Sequence, residues 1–172
     1  YQRFLLYQIK HSYPIPQMYI DGVKTSLLQI ERSNPNAKNI QPFHITAQKF
    51  IKEHQLFEAI LVDFENNITE GSKSNIFFIK NNELITALPE DVLLGITRKY
   101  IINISKQIGM TVVERKVSKE ELKTFDAAFI SGTSPKVLPI KNIDNYTLNT
   151  QNYWLKNIIE SFNNEIEKYI AQ

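Results

Sequence analysis

The 172-residue chain contains no cysteine. That excludes a disulfide scaffold, a thiolate zinc site and a cysteine nucleophile. Its three histidines, His11, His44 and His54, do not have the spacing of metal ligands. His44 and His54 flank one helical pattern and read as packing or surface residues. No metal is expected. Charge of one sign is also scarce: the formal net charge is +2. No basic stripe interleaved with aromatics is present, so a nucleic-acid partner is not expected. No apolar run approaches the ~20 residues of a membrane-spanning helix, and no membrane role is expected. The amphipathic C-terminal pattern carries both Lys and Glu, unlike a membrane-surface helix. No internal repeat or low-complexity tract is visible.

What is present reads as a mixed α+β domain, with 42% hydrophobic and 22% charged residues. Strand patterns occupy residues 2–9, 23–30, 58–62 and 110–117, with further apolar runs at 127–131 and 137–143. A hairpin is expected over 75–80 and 83–86, with Asn81 and Asn82 at its turn. Pro14 and Pro16 interrupt regular structure over 12–17. Ala47, Phe50, Ile51 and His54 share one helical face, as do Ile96, Tyr100, Ile101, Ile104 and Ile108, with Gly109 as a stop signal. Ser118 and Glu121 have capping-box spacing for a short helix. Leu155, Ile158, Ile159, Phe162, Ile166, Tyr169 and Ile170 form the apolar stripe of a long terminal helix. The connectivity favours a largely antiparallel or mixed, barrel-like sheet with interspersed helices.

Three polar loops can carry chemistry. Thr69-Glu70-Gly71-Ser72-Lys73-Ser74-Asn75 sets a carboxylate among small hydroxyl residues. Taken alone, it reads first as an ordinary polar loop. Leu93-Leu94-Gly95-Ile96-Thr97-Arg98 opens a helix, whose free N–H groups and dipole suit a phosphate. Taken alone, it is also an ordinary helix start. Ser131-Gly132-Thr133-Ser134-Pro135 follows an apolar strand and reads as a turn or as a second anion cradle. Together they offer one acid and two phosphate-binding turns. A covalent or electrophilic group is still missing, and pattern alone does not choose among the many lysines.

In order and wording these motifs resemble the class IV aminotransferases. These are fold-type IV pyridoxal-phosphate enzymes that include branched-chain and D-amino acid aminotransferases and aminodeoxychorismate lyase. The resemblance runs from about Gly22 to the end of the chain. It implies the large, cofactor-binding domain of the D-amino acid aminotransferase-like fold over residues 18–172. Residues 1–17 would be the end of a smaller N-terminal domain and its linker.

The resemblance also implies roles. Lys38 becomes the Schiff-base lysine. Glu70 pairs with the pyridine nitrogen, and Ser74 and Asn75 support the ring. Leu93 packs against a ring face. Gly95, Ile96 and Thr97 hold the phosphate from the helix start, and Gly132 and Thr133 close it from the other side. The implied activity exchanges an amino group between an amino acid and a 2-oxo acid in a cytoplasmic homodimer. The alternatives are a lyase that releases pyruvate, and a non-catalytic fragment that keeps the fold. Lys73, the Pro135-Lys136 pair and the Asn34-Pro35-Asn36 stretch depart from the family pattern and bear on substrate identity.

Overall fold

A computed structural model describes residues 13–32, 35, 36 and 42–171 of the chain. In chain order the first elements are α1 (Pro16–Asp21), β1 (Val23–Gln29), α2 (Phe43–Glu53), β2 (Glu58–Val62), β3 (Asn67–Gly71), β4 (Asn75–Lys80) and β5 (Glu83–Thr86). They are followed by α3 (Ile96–Gln107), β6 (Thr111–Glu114), β7 (Val117–Ser118), β8 (Ala127–Gly132), β9 (Lys136–Ile143), β10 (Tyr146–Thr147) and α4 (Tyr153–Ile170). The expected strand over 2–9 lies outside the described residues.

The strands form one mixed, curled and open sheet in the order β6-β5-β4-β8-β9-β1-β2-β3-β7, with β10 added to β9. β1 runs parallel to both of its neighbours, β9 and β2, and β5 runs parallel to β6. The other pairings are antiparallel. The α+β reading with a mixed sheet therefore holds.

Side chains alternate along each strand, so the sheet feeds two separate cores. Ile60, Val62, Ile68, Ile76, Phe78, Ala128, Ile130, Leu138 and Ile140 meet on the inner side of the curl. Phe77, Ile79, Ala127 and Phe129 point the other way, onto Ile101 and Ile104 of α3 and Leu155, Ile158 and Phe162 of α4. Phe77 and Phe129 face each other across the β4–β8 pair and stack with ring centroids 5.0 Å apart. Each is fully buried, which contributes roughly 2–3 kcal/mol per ring from removal of apolar surface.

Local signals behave as their chemistry predicts. Asn66 and Asn81 take the left-handed turn positions, with φ of 68° and 54°. Ser118 and Glu121 close the capping box, although the segment they start, Lys119–Thr124, is a 3-10 helix. The Asn152 side chain accepts hydrogen bonds from the N–H groups of Trp154 and Leu155 and starts α4. Two expectations need correction. Pro16 opens α1 instead of interrupting regular structure, because a first-turn N–H has no helical partner to lose. The single strand expected over 110–117 is two, β6 and β7, which sit on opposite margins of the sheet.

Candidate active site

Three chain reversals meet at one end of the curled sheet: the β3–β4 turn, the approach to α3 and the β8–β9 turn. They enclose a cavity of about 780 Å³. Arg32, His44, residues 70–75, residues 93–97 and residues 131–133 line it. Its size is that of a small-molecule pocket. All the expected site residues except Lys38 stand around this cavity, and Lys38 lies outside the described residues.

Glu70 is at the centre of the arrangement. Strand alternation puts it on the face of Ile68, toward the inner core, and its side chain is buried. Arg32, just beyond β1, forms an ion pair with Glu70 Oε1. Glu70 Oε2 accepts the Leu93 N–H at 3.1 Å. Burial pushes the Glu70 carboxyl above its ordinary value, while the Arg32 guanidinium, the Leu93 N–H and the more distant Arg98 guanidinium pull it back down. Each carboxylate oxygen keeps room for a further donor, since each can accept two.

The α3 helix supplies the second part. Gly95 is its N-cap and has no side chain with which to cap it. The first-turn N–H groups, including those of Ile96 and Thr97, have no intrahelical acceptor and open at the cavity. Asn75 holds this end in place: its Nδ2 donates to the Leu93 carbonyl at 2.9 Å. Asn75 thus braces the helix start. Behind it, Arg98 Nη2 donates to the Ala87 carbonyl at 2.9 Å and to Glu114 Oε1 at 2.7 Å.

The third part is the β8–β9 turn, with Gly132 and an exposed Thr133. The Ser131 hydroxyl is buried in a residue that lines the cavity and has no hydrogen-bond partner among the described residues, while the Ser74 hydroxyl lies against the Glu58 carboxyl. A buried hydroxyl without a partner is costly.

This donor set fits pyridoxal phosphate. It offers a helix start whose first-turn N–H groups line the cavity opposite the Gly132–Thr133 turn, for a phosphate, and a buried carboxylate for a ring nitrogen.

Two residues that line the cavity have no site role in the sequence reading, which passes over Arg32 and takes His44 as a packing or surface residue. Arg32 is one. The chain has four arginines against many lysines. Each of the three described arginines forms an ion pair with a carboxylate: Arg32–Glu70, Arg98–Glu114 and Arg115–Glu121. In a lysine-rich chain, arginine itself is the signal, because its planar fork suits buried carboxylate pairing. His44 is the other. It lines the cavity from the first turn of α2, next to Phe43, whose ring lies 5.4 Å from the Arg32 guanidinium carbon. Lys73 also reaches the cavity margin and is exposed.

The fold and the cavity together define a class. The family profile described as "Amino-transferase class IV" matches residues 2–143. The chain belongs to the class IV aminotransferase family.

A Synechocystis protein, assigned as a probable branched-chain-amino-acid aminotransferase, is 36% identical over 124 residues; the match covers 70% of this chain and 41% of that protein. Among solved structures, the branched-chain amino acid aminotransferase of Escherichia coli superposes with a TM-score of 0.74 at 26% identity, over 84% of this chain and 52% of that one. A Legionella pneumophila protein provisionally assigned as a 4-amino-4-deoxychorismate lyase gives 0.78 at 25% identity, over 94% and 59%. An aminotransferase from Brucella abortus, solved bound to the cofactor PLP, gives 0.77 at 24% identity, over 85% and 55%. The chain thus spans about half the length of the relatives it matches, or less.

Proposed function

We propose that the protein carrying this chain is a pyridoxal-phosphate-dependent aminotransferase that exchanges an amino group between an amino acid and a 2-oxo acid. Residues 18–172 would be its large, cofactor-binding domain, and residues 1–17 the approach from a smaller N-terminal domain. The observation that carries this reading is the meeting of buried Glu70, the uncapped start of α3 and the Gly132–Thr133 turn around one cavity.

Bound in the cavity, pyridoxal phosphate supplies an electron sink for negative charge at the substrate Cα. The residues would then divide the work. Glu70 would pair with the ring nitrogen and favour its protonated form. The Ile96 and Thr97 N–H groups and the Thr97 hydroxyl would hold the phosphate, and Thr133 would hold it from the opposite side. Leu93 would pack against the ring, and Ser74 and Asn75 would keep the surrounding turns in place. Lys38 would take the proton from the substrate Cα and return it. An isolated lysine is protonated at neutral pH, with a pKa of ~10.4. A cationic ring held nearby would lower that value and free the amine to act as a base.

Branched-chain amino acids are the substrates favoured by the relatives' names. A cytoplasmic homodimer is part of the same proposal. The Legionella structure keeps a second reading in play, a lyase with the same cofactor. Ser131-Gly132-Thr133 leans toward the aminotransferases.

The test is an absorbance spectrum of the full-length protein with pyridoxal phosphate, before and after borohydride, beside Lys38→Ala. A near-visible band fixed by borohydride in the wild type alone is expected. A band of the same kind in Lys38→Ala would displace Lys38. Pyruvate release without an added 2-oxo acid would favour the lyase.

A further inference from the structure

Glu58 opens β2, a strand whose five residues are all buried. Alternation puts it with Ile60 and Val62, facing the inner core, beneath the turn that joins Glu70 to Asn75. The proposed reaction gives this carboxyl no part. It is nevertheless built into the turn. Glu58 Oε1 accepts the Lys73 N–H at 2.6 Å and lies 3.5 Å from Ser72 Oγ. The other N–H groups of the turn go to backbone: Gly71 to the Ser74 carbonyl at 2.8 Å, and Ser72 to the Ala59 carbonyl at 2.9 Å. Lys73 is the one N–H in the run 71–73 that depends on a side chain. The fit also accounts for Gly71. A Cβ there would stand 2.7 Å from Glu58 Oε1 and would run into Ser74 Oγ.

We propose that Glu58 is a positioning residue of the cofactor site: its carboxyl group holds the 71–74 turn and so fixes where Glu70, Ser74 and Asn75 stand along the cavity wall. The surroundings add a dependence on pH. Burial raises the Glu58 carboxyl to about 7, against the Lys73 N–H, the nearby Ser74 and Ser72 hydroxyls and the Lys73 ammonium, which all lower it. On β1 the residue opposite is the uncharged Thr25, and the Lys73 ammonium is the charged group that acts on Glu58. The turn is therefore held by an acid that changes charge near neutrality.

The effect on cofactor affinity rests on the function proposed above; the effect on the turn does not. The experiment uses the full-length protein with Glu58→Gln and Glu58→Ala. It reads amide hydrogen exchange at Lys73 and the dissociation constant for pyridoxal phosphate at a series of pH values around neutrality. Glutamine keeps an oxygen that accepts the Lys73 N–H but has no proton to lose; alanine removes the acceptor. Glu58→Ala is expected to speed Lys73 exchange and weaken cofactor binding by about tenfold or more, the range for losing a hydrogen bond to an ionisable group. Glu58→Gln is expected to keep the exchange protection and to flatten the pH profile of binding. Wild-type exchange and affinity in Glu58→Ala, or a wild-type pH profile in Glu58→Gln, would overturn the proposal. If Glu58→Ala does not fold, the Glu58→Gln profile decides. A wild type that takes up no pyridoxal phosphate sinks the aminotransferase reading, and Lys73 exchange still rules on Glu58.

Discussion

Replacing Glu58 by glutamine should change how folding stability depends on pH, and the size of the change follows from the site. The carboxyl is raised from an ordinary 4.5 to about 7 because it is buried. The folded chain therefore holds this proton over a range where the unfolded chain has released it. The stability it contributes is fully present below 4.5 and is lost as pH rises through about 7. At ~1.4 kcal/mol per pH unit, that interval corresponds to roughly 3 kcal/mol. Glutamine carries no such proton, so the stability difference between wild type and Glu58→Gln should shift by about that much across the interval. The wild type gains toward acid and the variant gains toward alkali. The assay is urea unfolding of both full-length proteins without added cofactor, at pH values on either side of the interval, comparing the two at each pH. Taking the difference cancels acid losses common to both, such as that of Glu121, which Arg115 holds below its ordinary value. A difference that stays constant with pH would refute the argument that Glu58 is buried with its proton.

Other outcomes follow from the same geometry. Gly71→Ala forces a methyl group against Glu58 and Ser74 and should cost about 1–3 kcal/mol by overpacking; a wild-type melting temperature would show that the turn has more room than described. Arg98→Met leaves the buried Ala87 carbonyl short of a donor while Glu114, partly exposed, regains water. It should cost about 1–3 kcal/mol and weaken pyridoxal phosphate binding, because α3 starts at the cavity. Asn152→Ala, which uncaps α4 away from the cavity, should cost about 1 kcal/mol and leave cofactor affinity unchanged. Equal losses of affinity in these last two variants would show that cofactor binding reports general stability only.

Much of the fold is legible because local rules and the tertiary structure agree. Short apolar runs identify β4 and β8, helical spacing identifies α3 and α4, and asparagines mark the turns at 66 and 81. The three site loops were visible for a similar reason, since small and hydroxyl residues interrupt apolar runs there. Neighbour relations across the sheet were not visible. β1 pairs with β9, which lies more than a hundred residues away, and nothing local records that. Arg32–Glu70 depends on the same long-range geometry, because Arg32 follows β1 and Glu70 stands on β3. Glu58 was hidden differently. In sequence it is an acid at the margin of an apolar run, which usually means a solvated strand end; only the turn folded over it makes it buried. Pro16 misled because the same ring that breaks a helix interior is well placed at its first position.

The parallel β1–β9 pairing has a consequence for assembly. It joins two groups of strands, β6-β5-β4-β8-β9 and β1-β2-β3-β7, and its register is irregular between Val23 and Lys24. The β8–β9 turn belongs to the first group and Glu70 to the second, so the two cavity walls are tied together by this seam on one side and by the short β3–β4 turn on the other. The seam pairs residues more than a hundred positions apart, and such non-local pairing is the slow kind. A ligand that bridges the two walls of the cavity would act as a clasp beside the seam and protect β1 and β9 against opening.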